Sequence, residues 1–272
     1  MSQSIENIFV HDLWIYPVKS AKGFSLKEIY IGQWGPLFDR RWMVVNGKGE
    51  FLTQRECPQM ALLETSIKRE SLCLSYEMIG QIEVPLENRK GKDVWVQVWK
   101  DRLKAKDCGD EVSHFLSKAF GQEYRLVFMP DSTQRKVEGT LTKTFSFCDS
   151  SPLLVLSLES LEDLNARIQK KLLIDRFRPN IVVSGGEAYG EDDWDEYKMG
   201  EVVLKNLRPC TRCKVTTVNQ QKGVFEGKSP LKDLAKYRSR GGGLVFGQSA
   251  YHLGQGKIRI GDPLDILKRK SF

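Results

Sequence analysis

The sequence predicts a mainly β protein with inserted helices, an α+β fold in two lobes that meet near residues 100–145. Short segments rich in β-branched and aromatic residues recur along the chain, separated by glycine-rich or polar turn signals. Three other stretches have the apolar spacing or the capping residues of a helix. These two observations define the fold class, and no internal repeat interrupts the pattern.

The first hundred residues are expected to form a small β-barrel or sandwich. The predicted strands cover residues 26–31, 42–46, 72–76 and 94–99. Turn signals lie between them at 47–49 and 88–92. The segment 94–99 has apolar residues on both faces, which predicts burial on both sides or a packed barrel wall.

A helix is predicted to follow a cap at Asp107 and to end at Gly121. Its apolar stripe consists of Val112, Phe115, Leu116 and Ala119. A strand at 124–129 comes next. The polar residues 130–144 are the best candidate for a linker or long loop.

The second half alternates in the same way. A strand at 153–156 leads into a helix whose inner face consists of Leu158, Leu161, Leu164 and Ile168. Ser229 is expected to cap a third helix, with Pro230 in its first turn. Further predicted strands are 181–184, 201–207, 214–218, 244–253, 257–260 and 264–267. The last three are expected to close the fold as an antiparallel pairing through the glycines at 254–256.

Length and composition are those of an ordinary globular chain, with 272 residues, 40% hydrophobic and 28% charged. They exclude a disordered tail protein, a collagen-like chain and a disulfide-stapled miniprotein. The net charge of +7 can steer anionic ligands but does not indicate nucleic acid. The chain contains no run of about 18 apolar residues, so no membrane-spanning helix is predicted. The first residues lack a targeting pattern, so a cytoplasmic location with reduced cysteines is expected.

The sharpest local feature is the Cys-Thr-Arg-Cys motif at 210–213. Such a pair can be half of a zinc site, a thioredoxin-like redox pair, or two packed cysteines without a function. The other cysteines and the histidines have no spacing that supplies a second zinc ligand pair. The predicted strand at 214–218 stands where a redox pair would open a helix. We favour one thiolate that acts as a metal ligand or nucleophile beside Arg208 and Arg212.

Basic residues recur beside turn-forming or hydroxyl residues, at 19–20, 39–41 and 178–180. The planar fork of arginine suits phosphate, and several such side chains together would hold an anion. The segment 149–151 is either a turn cap or a polar cluster that faces a pocket. The acidic run 191–196 is expected to be a solvated loop and the glycines 241–243 a mobile loop.

Five motifs together resemble a known family. Tyr16-Pro17-Val18-Lys19-Ser20 with Lys22-Gly23, and Asp39-Arg40-Arg41-Trp42, resemble the N-terminal β-barrel that precedes MOSC (molybdenum cofactor sulfurase C-terminal) domains. The segment 177–183, the 210–213 motif with Thr216-Thr217-Val218, and the ending Gly261-Asp262-Pro263 resemble the MOSC domain itself. The motifs occur in order from about residue 8 to 268. They are most similar to the group of the mitochondrial amidoxime reducing component and its bacterial counterparts.

The resemblance implies a MOSC N-terminal β-barrel domain at 1–105, a connecting helix, strand and linker at 106–145, and a MOSC-type β-barrel domain at 146–272. It also implies a molybdenum cofactor (Mo-molybdopterin) between the lobes. Cys213 would bind the metal, and Asp149 would lie near it as the second catalytic residue. The implied cofactor-binding residues are Lys19, Ser20, Arg40, Ser150, Ser151, Arg178, Asn180, Thr211 and Arg212.

The implied reaction is the reduction of N-hydroxylated compounds such as amidoximes, hydroxylamines or hydroxylated base analogues. The chain has no plant-type ferredoxin cysteine run. Electrons are therefore expected from a separate ferredoxin-, flavodoxin- or cytochrome-type protein with its reductase. The N-terminal membrane anchor of the animal relatives is not expected. Two alternatives remain: a sulfur transferase that uses a Cys213 persulfide, and a non-enzymatic molybdenum cofactor carrier.

Overall fold

The computed structural model describes residues 7–86, 91–136 and 144–271. Its strands are β1 (Phe9–Ile15), β2 (Phe24–Ser25), β3 (Glu28–Gly32), β4 (Gly35–Pro36), β5 (Trp42–Asn46), β6 (Glu64–Ile67), β7 (Ser71–Tyr76), β8 (Gly80–Pro85), β9 (Asp93–Val98), β10 (Asp101–Asp107), β11 (Tyr124–Phe128), β12 (Leu153–Ser157), β13 (Ile181–Ser184), β14 (Trp194–Met199), β15 (Val202–Thr211), β16 (Val218–Asn219), β17 (Val224–Phe225), β18 (Ser239–Arg240), β19 (Gly243–His252), β20 (Gly256–Arg259) and β21 (Leu264–Arg269). Its helices are α1 (Asp110–Phe120), α2 (Leu158–Ile168) and α3 (Leu231–Leu234). The prediction of a mainly β fold with inserted helices is confirmed.

A closed barrel forms the second lobe. Its strands run in the order β1-β13-β12-β19-β15-β14-β21, and neighbours are antiparallel except for β12 and β13. At the start of β21 the Leu264 amide donates to the Ile8 carbonyl at 2.8 Å, and Phe9 bridges Pro263. This return to β1 closes the sheet. One buried apolar cluster spans these strands and includes Val10, Leu13, Val155, Ile181, Tyr197 and Leu204.

The first lobe packs two sheets and α1. The sheets have the strand orders β5-β11-β10-β9 and β6-β7-β8. Successive side chains of β5 point to opposite faces. Trp42 and Val44 join the cluster under β7 and α1, whereas Met43 and Val45 join the cluster under β9 and β10. Burial on both faces explains why β5 is a continuous apolar run.

The chain begins in the second lobe. β1 pairs with β13, and β3 pairs with β20. The chain then crosses to the first lobe, whose sheet is completed when β11 pairs with β5, and returns to the barrel at β12. The boundaries 1–105, 106–145 and 146–272 stay predictions. The two crossings bring residues near 16–42 and 145–153 to the junction between the lobes.

The prediction that residues 94–99 are buried on both faces is wrong. Val96 and Val98 are buried, but Trp95 is 54% and Trp99 44% exposed. The guanidinium of Arg102 lies 5.1 Å from the Trp95 ring centroid. A large aromatic ring can thus stay on the surface when a cation covers part of it.

The predicted cap of α1 is also wrong. Asp107 ends β10, and its carboxylate accepts a hydrogen bond from the Gly109 amide at 2.7 Å and pairs with Arg125. The helix starts after Gly109 instead. Its predicted end is confirmed, because Gly121 adopts the left-handed conformation (φ 75°) that terminates helices.

In the second lobe, the strand expected at 214–218 is a single 3₁₀ turn, Lys214–Thr217. The Thr216 hydroxyl donates to the Cys213 carbonyl at 2.9 Å, and the Thr217 hydroxyl to the Lys214 carbonyl at 2.8 Å. These local bonds offer the backbone an alternative to a sheet ladder. Hydroxyl residues with high β propensity therefore form a turn here.

Three other expectations for this lobe are corrected. The segments after the glycines at 254–256 do not pair with β19, because β20 pairs with β3 and β21 with β14. The acidic run 191–196 is not a solvated loop: Glu191 and Asp192 are buried, and β14 begins within the run. Ser229 does not cap α3, which begins at Leu231 without a side-chain cap.

The expected loops agree in part. Gly241 and Gly242 form the turn between β18 and β19, whereas Gly243 already belongs to β19 and pairs with Arg240. Residues 87–90 and 137–143, within or beside the predicted turn and linker, lie outside the described residues. Arg135 ties the described part of 130–144 to the core, because its guanidinium donates to the Ser146 and Cys148 carbonyls at 2.7 and 2.8 Å.

Glu226 anchors the segment that leads to Arg178. Its carboxylate accepts from the Asn219 amide at 2.7 Å, from Arg176 at 2.5 Å and from Lys170 at 3.3 Å. These partners lower the pKa of Glu226 to about 2. The Arg176 side chain is only 7% exposed, so Glu226 neutralises a buried guanidinium.

We expect Glu226→Gln to lower the free energy of unfolding by about 1–3 kcal/mol at pH 7, because buried Arg176 loses its counter-charge. A carboxyl with a depressed folded pKa stabilises the fold above its unfolded value of 4.5. That contribution disappears as the pH falls toward about 2. Urea unfolding between pH 7 and pH 3 should therefore show that the free energies of unfolding of the wild type and the Glu226→Gln variant approach each other as the pH falls. Exposed Glu162→Gln is the control, and a pH-independent difference would contradict the assignment.

Candidate functional site

One cavity of about 440 Å³ lies between the lobes. Every residue named above as catalytic or cofactor-binding contributes to its lining, whereas Arg208, expected beside the thiolate, does not. These residues are Lys19, Ser20, Arg40, Asp149, Ser150, Ser151, Arg178, Asn180, Thr211, Arg212 and Cys213. Positions from distant parts of the chain therefore meet in one place.

Three lining residues have a left-handed backbone, which residues other than glycine seldom adopt. They are Ser20 (φ 67°), Arg40 (φ 50°) and Arg178 (φ 57°). The Arg40 amide donates to the Tyr16 carbonyl at 2.9 Å, and the Arg178 amide donates to the Asp175 carbonyl at 3.2 Å. Such conformations cost about 1–3 kcal/mol each and concentrate at functional sites. Their grouping marks this cavity as the candidate site.

Tyr16 lies between arginines that come from different parts of the chain. Its ring is buried, and the guanidinium carbons of Arg40 and Arg178 lie 4.3 and 4.2 Å from its centroid. Burial and the nearby charge of Arg40 lower the pKa of Arg178 to about 10. Cation–π attraction offsets part of this cost. Gly23 is required beside the ring, because a Cβ there would lie 2.3 Å from a Tyr16 ring carbon.

Arg40 is fixed by two side chains. Burial disfavours its charge, but the surrounding groups, Asp39 first among them, together outweigh this effect and raise the pKa of Arg40 above its ordinary value. Asn180 Oδ1 accepts from Arg40 Nη1 at 3.0 Å and from the Leu154 amide at 3.3 Å. Its Nδ2 donates to the Trp14 carbonyl at 3.2 Å. The Asn180 amide is thus used within the protein and orients Arg40.

Asp149 lies at the centre of the charged network. It pairs with buried Lys19, accepts from Arg55 Nη2 at 3.1 Å and accepts from the Trp99 indole at 3.3 Å. Burial opposes ionisation, but the charges of Lys19 and Arg55 hold the pKa of Asp149 well below its usual range. Burial also lowers the pKa of Lys19, and Asp149 counteracts that shift. Asp149 is therefore a carboxylate at neutral pH.

The two cysteines of the motif have different partners. Arg55 Nη2 lies 3.3 Å from Cys213 Sγ, whereas Arg212 Nη1 lies 3.0 Å from Cys210 Sγ. Both cysteines are free thiols. Within the described ranges, no three His, Cys, Asp or Glu side chains form a metal-binding group. This arrangement gives no support to the zinc interpretation.

The cavity carries an excess of positive charge. Among the described residues, five cationic side chains line it, namely Lys19, Arg40, Arg55, Arg178 and Arg212, against the single carboxylate of Asp149. Arg178 Nη2 and Arg212 Nε are buried and have no hydrogen-bond partner among the described residues. Buried donors without partners are costly. The cavity is therefore suited to an anionic ligand.

Two important residues were missed by the sequence analysis. Arg55 contacts both Asp149 and Cys213, and its guanidinium carbon lies 4.8 Å from the Trp99 ring centroid. Arg55 stands in a Thr-Gln-Arg-Glu turn without a distinctive local pattern. The strand predicted at 94–99 would bury Trp99, whereas the structure places it at the cavity. Asp149 and Cys213 lie far from Arg55 in the sequence, so only the tertiary structure brings these partners together.

Comparison with known proteins matches both halves of the chain to family models. Residues 7–123 match the MOSC N-terminal beta barrel domain, and residues 142–265 match the MOSC domain. The mitochondrial amidoxime-reducing component 1 of Mus musculus is 36% identical over 95% of this chain and 82% of its own length. The Homo sapiens component 1 is 34% identical with the same coverage. The Homo sapiens component 2 is 37% identical over 84% of this chain and 72% of its own length.

The helices that the structure describes are at most 11 residues long, and none has the length and hydropathy of a bilayer span. The relatives are named as mitochondrial proteins. The cytoplasmic location expected from the sequence stays a prediction.

The matched models cover both lobes in the expected order. The relatives match at about 35% identity across nearly the whole chain. The chain therefore belongs to the family of MOSC domain proteins with an N-terminal MOSC β-barrel, the family of the mitochondrial amidoxime-reducing components.

Proposed function

We propose that this protein is an oxidoreductase that holds a molybdenum cofactor between its lobes and reduces N-hydroxylated compounds with electrons from a separate donor protein. The convergence of five cations and the Cys213 thiol on a single cavity carries the proposal. The names of the relatives, amidoxime-reducing components, support the substrate class. Amidoximes, hydroxylamines and N-hydroxylated base analogues share the N–OH group that the reaction consumes.

The donor set fits the proposed cofactor. Arg178 Nη2 and Arg212 Nε are buried donors that no described residue pairs with, and the phosphate of a pterin would accept hydrogen bonds from such donors. Lys19, Ser20 and Arg40 face the same cavity from the first crossing between the lobes. Cys213 supplies a soft thiolate of the kind that binds metals of this class. The proposed binding site also includes Ser150, Ser151 and Thr211, which line the cavity, and Asn180, which orients Arg40.

When bound, the cofactor supplies two-electron oxygen-acceptor chemistry that no amino-acid side chain offers. Overall, the N–O bond breaks, two electrons and two protons are consumed, and the oxygen leaves as water. The chain positions the substrate and sets the charge around it. Asp149 stays ionised, so it can accept a hydrogen bond from a substrate N–H or O–H but has no proton to give. Lys19 and Arg55 hold it in place.

Two other functions share the same cysteine. A sulfur transferase would use Cys213 as a persulfide, and a carrier would hold the cofactor without turnover. The excess of cations lining the cavity favours a large anionic cofactor over a bare persulfide. The reductase must contain molybdenum, whereas the sulfur transferase need not. The carrier would contain molybdenum but would not turn over substrate.

We expect Cys213→Ala to lose molybdenum, because it removes the thiolate that would bind the metal. Cys210→Ala is the matched control and should retain it, since the Cys210 sulfur contacts Arg212 instead. Elemental analysis and the fluorescence of oxidised pterin measure both components in protein made in a molybdenum-replete host. Equal molybdenum in the two variants would exclude Cys213 as the ligand. A metal-free wild type with a persulfide on Cys213 would support sulfur transfer.

Arg178→Gln should weaken pterin retention roughly 10- to 100-fold, because a hydrogen bond from a charged donor contributes about 1.5–3 kcal/mol. Arg41→Gln is the control, since Arg41 contacts Asp131 at 2.7 Å and does not line the cavity. Cofactor release on dialysis, followed by pterin fluorescence, provides the measurement. Unchanged release in the Arg178 variant would place the phosphate elsewhere.

Asp149→Asn should retain molybdenum but lower kcat for an amidoxime about tenfold or more, because the acceptor loses its charge while Lys19 and Arg55 keep theirs. Its depressed pKa leaves Asp149 ionised at every pH above its ordinary 3.8. Protonation of Asp149 should therefore cause no decrease in the wild-type kcat down to about pH 4. Exposed Asp131→Asn is the control. An acidic limb above pH 5 that disappears in Asp149→Asn would contradict the assignment.

A further inference from the structure

An exposed face of the first lobe combines aromatic and basic side chains. We define the β9–β10 face as Trp95, Trp99, Arg102 and Lys104. Lys104 lies directly opposite Trp95 in the antiparallel pair, and Arg102 lies opposite Gln97. Val96, Val98 and Ala105 point the other way, into the core. The alternation of the strands therefore places the face on the solvent side.

The charges on this face are available to a partner. Arg102 and Lys104 lie 5.1 and 5.5 Å from the Trp95 ring centroid, and both side chains are exposed. Neither forms an ion pair with any residue in the described ranges. The neighbouring carboxylates are already paired, Asp93 with Lys106 at 2.8 Å and Asp101 with Arg135 at 3.0 Å. This face therefore presents a large aromatic ring together with two cations that form no ion pair within the described ranges.

The face continues into the mouth of the cavity. Trp99 lines the cavity, and its indole donates to Asp149 at 3.3 Å. Arg55, which contacts Cys213, stacks on the same ring. The strand places Trp95 roughly 13 Å from Trp99 along its axis. A protein bound over Trp95 would therefore cover the rim of the cavity.

We propose that the β9–β10 face is the docking surface for a small acidic redox protein that delivers electrons to the site. This inference rests on the proposed function, since each N–O bond broken consumes two electrons and two protons. Donor complexes of this kind are small and transient, and charge complementarity speeds their formation. Arg102 and Lys104 would attract the acidic partner, and the Trp95 ring would supply the apolar anchor. The short patch lacks the long basic stripe with interleaved aromatic residues typical of nucleic-acid binding.

The test compares cofactor-loaded wild type with Arg102→Glu/Lys104→Glu. Lys27→Glu/Arg69→Glu is the charge-matched control, because both residues are exposed and lie away from the cavity. Amidoxime reduction is measured with a plant-type ferredoxin, a flavodoxin and a b-type cytochrome, each with its reductase. Reduced methyl viologen serves as a donor that needs no docking surface. Isothermal titration calorimetry of the same proteins without turnover gives a second readout.

We expect kcat/KM for the accepted donor to fall about tenfold or more at low salt in the Arg102/Lys104 variant, and the gap to narrow as ionic strength rises. The rate with methyl viologen and the thermal unfolding midpoint should not change. Trp95→Thr, which keeps a strand-forming residue, should raise KM for the donor in the same way. Calorimetry should show the same loss of binding in both variants.

An equal loss in the Lys27/Arg69 control would overturn the proposal. So would failure of all three acidic proteins to support turnover while methyl viologen does. Salt-dependent binding of single-stranded DNA or anionic vesicles, abolished at Arg102 and Lys104 while donor binding stays intact, would assign the face to another ligand. Absence of turnover even with methyl viologen would contradict the proposed function, and calorimetry alone would then decide whether the face binds the donors.

Discussion

The contact of Tyr16 with Arg40 and Arg178 is the interaction on which the site depends. The two guanidinium groups lie within 4.3 Å of one buried ring centroid, and Arg40 also donates to the Arg178 carbonyl at 3.2 Å. Arg40 follows the strands that begin the chain, whereas Arg178 precedes β13. Two like charges can be buried together here because contacts with the Tyr16 ring, Asp39 and Asn180 offset the free energy of desolvating them. The stack therefore ties the first crossing to the segment before β13, and both arginines line one cavity.

The charge balance of the cavity follows from that arrangement. Asp149 is the one carboxylate in the lining that the described residues form, and its contacts with Lys19 and Arg55 tie the first lobe to the segment that enters the barrel. A reciprocal amide pair between buried Gln54 and Gln220, at 3.1 and 2.9 Å, crosses the same junction. The remaining positive charge and the buried unpaired donors are what an anionic cofactor would satisfy. Lys19, Arg55 and Asp149 thus join the lobes and also line the cavity.

Local patterns were reliable where local interactions dominate. β5 and α2 agree with the prediction because an apolar run and a helical stripe each bury their own faces. The errors came where distant partners decide. β20 leaves its sequence neighbour β19 for β3, and Glu191 is buried because Ser157 and Ser160 satisfy it. At 214–217 the hydroxyls of Thr216 and Thr217 outweigh strand propensity.

By itself the sequence determined the fold class, the family and the motif residues that line the cavity, because motifs such as Lys19-Ser20 and Cys-Thr-Arg-Cys identify residues without needing their positions. Only the tertiary structure decided which charges meet. It selected Arg55 as the partner of Cys213, turned Asn180 inward to orient Arg40, and left Trp95 on the surface beside two cations. The physical reason is that electrostatic contacts depend on distances of a few ångströms between residues far apart in the chain. Closure of the barrel and the two crossings between lobes set those distances.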